Sequence, residues 1–431
     1  MRITHITIDN LFGLFNHEIP LFGQDRITII HGPNGYGKTS VLRLIQSLFS
    51  ENNFYLVKIP FDKIAIRFDD EREFRIHKKM HAETLLTEEV VFSFAENSFS
   101  LKPIVTGKKH RRRSIGKSAL SPQQIWQLEE LQEPTTFKDF LEKAAEIYEL
   151  IYPAPAIQQP EWLQKLRSSI PVRMIEAQRL MQFSRSAAGS SVEEQTPLPS
   201  VIEYSNEIVG VINSRLAEYA ALSQSLDRTF PQRMLQQLDS DQVRQENDLR
   251  RQLRDLEKKR LRFINVGILD SEDFSFELPE NIDETALVML TIYMNDVEKK
   301  LAILDQLADK IELFKNTVNH LFDYKWMEIS KHSGFRFFSS THNELEPSDL
   351  SSGEQHEIVL LYELLFKTDS DSLILIDEPE LSLHVLWQEA FLHDLQQVTQ
   401  VAELDVIIST HSPQLIHDRW DLTVELKGPT E

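Results

Sequence analysis

Over about the first hundred residues the apolar positions alternate with polar ones or cluster in short runs, the pattern of strands. "RITHITI" and "RITII" read as two of them, "KIAIRFDDEREFRIHKK" as a hairpin turning at Asp69-Asp70, and "EEVVFSFAENSFSL" as a second hairpin. The period changes once in this stretch. "KTSVLRLIQSLFS" carries Val41, Leu44, Ile45, Leu48 and Phe49 at helical spacing. "YPAPAIQQP" and "SRSAAGSSVEEQTPLPS" are loop-like, because proline, glycine and serine oppose regular structure.

From about Val201 to Trp326 the pattern is helical. Leu287, Leu290, Met294, Val297, Leu301, Leu304, Ala308 and Ile311 alternate in steps of three and four, the heptad seam of a coiled coil. Upstream, Leu249, Leu253 and Leu256 form a stripe among charges, which suits an antiparallel partner across the linker "INVGILDSEDFSFELPENID". At 1.5 Å per residue this hairpin is a short arm on the order of 40 Å. Between Val201 and Leu238 the seam is less regular and Pro231 interrupts it. After "GFRFFSS" an α/β pattern returns: "SLILIDEPE" and "LDVIISTHSP" read as buried parallel strands joined by the helix "VLWQEAFLHDLQQV".

Composition narrows the setting. The 431 residues include no cysteine, which excludes disulfides, thiolate zinc sites and a cysteine nucleophile. The absence of an apolar signal core and of a run near the roughly 20 residues of a membrane span points to a cytoplasmic chain without membrane contact. A net charge of −21 repels phosphate backbones, so nucleic acid is an open partner only through a local patch, for which "KKHRRRS" (Lys108 to Ser114) is the candidate. A solvated surface loop explains that run equally well.

Chemistry concentrates at four places. "GPNGYGKTS", after a strand and before a helix, matches the phosphate-binding pattern G-x-x-x-x-G-K-[ST]. Gly32, Asn34, Gly35 and Gly37 shape the anion nest, Lys38 reaches the β/γ-phosphates of ATP, and Thr39 can ligate Mg²⁺, with Ser40 beside it. Asp377 ends a buried strand and can hold Mg²⁺ through water; Glu378 can take a proton from the attacking water. His411 ends the next strand, at the same sheet edge, where an imidazole can sense a terminal phosphate. Fourth, Ser351 with Glu354 opens a helix as a capping box or as amides aimed at a phosphate.

Together these motifs resemble the ABC-type ATPases. That resemblance implies an α/β fold class: a P-loop ABC-type ATPase head with a mixed sheet plus a helical, short coiled-coil insertion. It also implies that Ser351 and Gly353, in "LSSGE", contact ATP held by another subunit in a head-to-tail homodimer or higher homo-oligomer. Ser352 departs from the family's glycine and Glu354 from its glutamine. The insertion resembles the SMC, RecF and OLD branch, which places Gln178 in "EAQRL" in the Q-loop as a sensor of Mg²⁺ and water. "DEPELSLHVLWQ" resembles the OLD-related AAA ATPases of bacterial defence systems and implies Ser382 and His384 near the dimer interface. Phe12 and Phe15 are candidate walls of an adenine site, or ordinary core aromatics.

The expected layout is an N-terminal half of the head at 1–200, the helical insertion at 201–330 and a C-terminal half at 331–431. Without cysteine there is no zinc hook, and the twenty residues after His411 leave no room for a TOPRIM nuclease. The resemblance therefore implies an ATPase regulating a separate effector protein, a nuclease or toxin, in antiphage defence. The alternative is a repair or recombination ATPase that clamps duplex DNA.

Overall fold

The computed structural model describes residues 1–80, 87–102, 159–176, 181–182, 198–238, 246–271, 282–381, 383 and 385–429. The chain opens with β1 (Ile3–Leu11), β2 (Phe15–Pro20), β3 (Ile27–His31), α1 (Lys38–Phe49) and α2 (Phe54–Lys58). Four strands follow: β4 (Lys63–Phe68), β5 (Glu73–Met80), β6 (Thr87–Phe94) and β7 (Asn97–Leu101). After α3 (Glu161–Ser168) and β8 (Val172–Glu176), the two-residue strands β9 (Met181–Gln182) and β10 (Leu198–Pro199) precede three long helices. These are α4 (Ser200–Leu238), α5 (Glu246–Asn265) and α6 (Glu284–Leu321). The hairpin strands β11 (Lys325–Ser330), β12 (Gly334–Ser339) and β13 (Glu344–Leu345) lead to α7 (Ser352–Phe366) and β14 (Leu373–Asp377). The chain closes with α8 (Val385–Ala402), β15 (Asp405–Thr410), α9 (Pro413–Ile416) and β16 (Thr423–Glu425).

Both kinds of strand expected for a mixed α/β head are present, and they form separate sheets. Five strands in the order β16-β3-β15-β14-β8 make a parallel sheet, and six in the order β2-β1-β4-β5-β6-β7 an antiparallel one. The two predicted hairpins are β4–β5 and β6–β7. The parallel strands are apolar on both sides because helices cover both faces. Ile27, Ile29, Ile374, Ile376, Val406 and Ile408 face one core with α4, α6, α7 and α8. Ile30, Leu373, Leu375 and Ile407 face the other, filled by Val41, Leu44, Ile45 and Leu48 of α1 and by the antiparallel sheet. At about 1.5–3 kcal/mol for each fully buried aliphatic side chain, this two-sided burial fixes the register of the strands that carry the site.

The arm differs from the sequence expectation in two ways. Gln252 with Glu298, Lys259 with Asp305 and Arg262 with Asp309 keep step along α5 and α6, so these helices run parallel and not antiparallel. The antiparallel partner of α6 is α4, where Asp227 meets Lys300 and Arg233 meets Asp296. Apolar stripes encode that two faces meet but not direction; the charges on either side of the seam select it. The helix also continues through Pro231. Arg233 donates to the Leu226 carbonyl (2.8 Å) and both oxygens of Asp296, supplying contacts in the turn that the proline weakens. With 39 residues in α4 and 38 in α6, the arm helices are about 57 Å long at 1.5 Å per residue, longer than the stripe alone suggested.

The arm is bolted to the head at two glycines. A Cβ on Gly267, where φ is +81°, would lie 1.8 Å from the Ile329 carbonyl oxygen, and one on Gly334, φ +68°, 2.0 Å from that of Ser205. Only glycine permits both the left-handed backbone and the approach. Deeper in, Tyr204 of α4 donates to the buried Glu363 of α7 (2.7 Å). Among the described residues, no helix is long and apolar enough to cross a membrane.

One buried group outside the site makes stability depend on pH. Glu357, in α7, is 3% exposed with Oε2 unpartnered, and burial, with Asp394 nearby, pushes its carboxyl up to about 8. Its folded value thus lies above the unfolded one, near 4.3, so the folded chain binds the extra proton and this stabilising contribution is lost as pH rises through about 8. Glu357→Gln should flatten the fall in denaturant-measured stability between pH 5 and 8. Equal slopes for the two proteins would show that Glu357 ionises freely.

Candidate functional site

The site is assembled at the carboxyl ends of β3, β14 and β15, where parallel strands in an α/β sheet deliver their loops to one edge. After β3 the chain turns through Gly35 and Gly37, at φ +88° and +87°, and Gly37 caps α1. A Cβ at Gly37 would come within 3.0 Å of Leu11 Cδ2 and press on that buried side chain. The ladder of α1 begins with Val41 N–H to the Gly37 carbonyl (2.8 Å). The amides of Lys38, Thr39 and Ser40 precede it, as unpaired donors do at any helix start. Asn34 is exposed on the loop and Ser40 half-buried in the first turn.

Lys38 is only 5% exposed, and its ammonium donates to the carbonyls of Gly32 (2.8 Å) and Pro33 (3.3 Å). It also lies 3.2 Å from His411 Nδ1. Burial pulls the ammonium below the usual lysine range, opposed by the carboxylates of Glu378, Asp377 and Glu380. With a cation against Nδ1, that nitrogen is the acceptor, and the ring proton sits on Nε2. Nε2 in turn is 3.3 Å from Glu378 Oε1.

Thr39 donates to Asp377 Oδ1 (3.1 Å), and Ser409 donates to the same oxygen. Thus the hydroxyl and the carboxylate predicted to share a metal already meet. Glu378 sits at φ +48° with its N–H on the Ser409 carbonyl (3.0 Å), a strained turn for a non-glycine residue. Glu380, two residues on, accepts from Thr410 Oγ1 (2.8 Å) and from the His411 amide (2.7 Å), while its Oε2 is buried and unpartnered. Two bonds to a charged acceptor, about 1.5–3 kcal/mol each, outweigh one orphan oxygen at about 1–3 kcal/mol.

Sequence reasoning missed Glu380 and Ser409. Glu380 could have been found as the fourth residue of "DEPE"; Ser409 is visible only from the register that pairs it with Asp377. Three carboxylates crowd one ammonium, an excess of negative charge that suits a divalent cation at Thr39 and Asp377.

The helix start at Ser351 is a true capping box. Its hydroxyl accepts from Glu354 N–H (3.3 Å) and Glu354 Oε2 from Ser351 N–H (2.7 Å). Burial would raise the Glu354 carboxyl, but Lys325, at 2.9 Å, and the Ser351 donors hold it below the usual range. Among the described residues, a Cβ on Gly353 would meet only Trp387, at 3.6 Å. Within one chain Ser351 and Gly353 are not part of the Lys38 cluster, since α7 and α1 pack on opposite faces of the parallel sheet.

The remaining candidates divide. Gln178 lies outside the described residues, as do Ser382 and His384 and the run Lys108 to Arg113. Glu176, the last residue of β8, is the register partner of Asp377. Phe12 is 38% exposed and near Gly37, whereas Phe15 is a core residue packed on His17 and Tyr36.

An SMC head domain from Thermotoga maritima is similar at 10% identity, covering 100% of both chains with a TM-score of 0.38. An Smc head domain with an extended coiled coil, bound to the C-terminal domain of ScpA and derived from Pyrococcus furiosus, is also 10% identical, covering 96% of this chain and 91% of that one at a TM-score of 0.35. No curated protein matches significantly. A family model described as an AAA ATPase domain matches residues 1–416, nearly the whole length, and spans every element of the Lys38 cluster. The chain therefore belongs to the AAA ATPase domain family.

Proposed function

We propose that this protein is an ABC-type ATPase that binds and hydrolyses Mg-ATP between two heads arranged head to tail. The observation that carries the reading is the line Lys38–His411–Glu378, at 3.2 and 3.3 Å, beside the Thr39–Asp377 pair. Lys38 exchanges its loop carbonyls for phosphate oxygens, and Glu378 takes the proton of the attacking water at its carboxylate. His411 Nε2–H orients that carboxylate and registers a terminal phosphate through its contact with Lys38. Thr39 and Asp377 would hold Mg²⁺, which when bound would neutralise charge on the phosphates. Ser351 and Gly353, on the opposite face of the sheet, are supplied to each site by the other copy. Phe12 is the better of the two aromatic candidates for the adenine.

At the level of biology, we read the chain as the ATPase subunit of an antiphage defence system that controls a separate nuclease or toxin. The "DEPELSLH" segment supports this by resemblance. An ATP switch acts only through a partner that distinguishes its two states, and the arm is the surface on which such a partner can read them. The test is Mg²⁺-dependent ATP hydrolysis by the purified chain, with specific activity rising with protein concentration as heads pair. Concentration-independent turnover, or none, would overturn the two-headed site. Tight duplex-DNA binding without a co-purifying effector would favour the DNA-clamp alternative.

A further inference from the structure

The loops after β14 and β15 are stitched to each other by polar contacts that the proposed chemistry does not itself require. Glu380 turns its carboxylate across to the neighbouring strand, taking the Thr410 hydroxyl and the His411 amide on one oxygen. Thr410 Oγ1, fully buried, also accepts from Ser412 N–H (2.9 Å). Ser412 Oγ donates to Gln388 Oε1 (2.9 Å), and the Gln388 amide returns to the carbonyls of Glu380 and Leu383, each at 3.3 Å. The circuit closes on itself and encloses the backbone on which the His411 ring is mounted.

His411 is held by its neighbours at three points. Nδ1 meets Lys38, Nε2 meets Glu378, and the main-chain N–H meets Glu380. The first is with a group that changes partners when a nucleotide binds, and the second with one that takes a proton during the reaction. The third involves neither phosphate nor proton transfer. A ring placed to align a base needs a fixed pivot, and the Glu380 contact is the one of the three that neither phosphate binding nor proton transfer touches.

We propose that Glu380 is a positioning residue, which fixes the His411 backbone so that Nε2 stays against Glu378 while Lys38 leaves for the phosphates. This rests on the ATPase reading of the Lys38 cluster. It goes beyond that reading in giving a role to the second glutamate of "DEPE", outside the phosphate and metal contacts. The task needs an acceptor at Oε1 and no negative charge. Glutamine offers the same carbonyl acceptor at nearly the same shape, and alanine offers none.

The test is kinetic and spectroscopic, on the full chain. Glu380→Ala should lower kcat about 10- to 100-fold, the scale of a small misplacement of a catalytic group, with KM for ATP little changed because the P-loop is untouched. Glu380→Gln should restore kcat to near the wild-type value. In a His411→Ala background, Glu380→Ala should cost almost nothing further, since its effect runs through the ring. Independently of turnover, the His411 ring resonance of ¹³C-histidine-labelled protein, assigned by its loss in His411→Gln, should keep its shift in Glu380→Gln. In Glu380→Ala it should move to that of a solvent-exposed histidine.

Multiplying losses for the two alanines, a glutamine variant as impaired as alanine, or an unmoved ring resonance would each overturn the proposal. If the wild type itself fails to hydrolyse ATP, the ATPase reading falls, and the ring resonance still decides whether Glu380 positions His411. Should Glu380→Ala fail to fold, Thr410→Val removes one of the two bonds to Oε1. It should move the same resonance partway, and an unchanged resonance there counts against the proposal.

Discussion

Glu378→Gln should bind ATP as tightly as the wild type and lower kcat by about 10²–10⁴-fold, the range for loss of a general base. The reason is geometric. Glu378, at φ +48°, touches His411 Nε2, while the groups proposed to hold the phosphates, Lys38 and the first amides of α1, belong to a different loop. An amide keeps the size and turn but cannot accept the proton of water. Because ATP then persists, the two-headed complex should accumulate, and size-exclusion chromatography with Mg-ATP should show a larger species for this variant than for apo protein. Wild-type turnover by Glu378→Gln would reassign the base, with Glu380 the neighbouring carboxylate to test. Normal turnover would also remove the reason for His411 to sit where it does.

Ser351→Arg should reduce hydrolysis by about 10²-fold or more, the scale of losing one preorganised donor to a charged transition state, yet leave nucleotide binding by the single subunit nearly unchanged. Ser351 lies across the parallel sheet from α1, and among the described residues its hydroxyl meets only the Glu354 amide. It can act on phosphate only if another copy presents one. Mixing makes this decisive. Ser351→Arg and Lys38→Ala should each be inactive, but a heterodimer should hold one complete site, formed by the Lys38 of the first protein and the Ser351 of the second. An equal mixture should recover about a quarter of wild-type activity, as half the dimers are mixed and each has one of two sites intact. Failure to recover any activity, with heterodimers verified, would mean that Ser351 acts within its own chain or only caps its helix. Since Ser351→Arg also breaks the capping box, Ser351→Asp, which preserves the cap and repels phosphate, separates the two roles.

What was legible in the sequence follows from what each signal depends on. The P-loop, the strand ending in Asp377-Glu378 and the strand ending in His411 are local patterns. Glycines at fixed spacing are required by the backbone itself, and unbroken apolar runs before acids are required by burial on two faces. These residues needed only adjacency of their strands to meet, and the register of β14 with β15 provides it. The two antiparallel hairpins and the heptad stripe were legible for the same reason, as each is a period of two or 3.5 along a single stretch. Membership of the AAA ATPase domain family accords with these motifs.

Three things were settled only by tertiary structure. Helix direction was one: the stripe of α5 fits either orientation on α6, and the parallel choice comes from charge pairs nearly fifty residues apart in sequence, such as Lys259 with Asp305. The second was Pro231, which reads as a break until Arg233 and Asp296 are seen supporting its turn. The third was the inner frame of the site, where Ser409 and Glu380 hold Asp377 and His411. A serine in a buried strand carries no periodic or compositional mark, and "DEPE" marks Glu380 without showing what it holds. Their meaning lies in which neighbour they face, and that is decided by the packing of whole strands, through many small apolar contacts that sum over the core and that no local window of sequence contains.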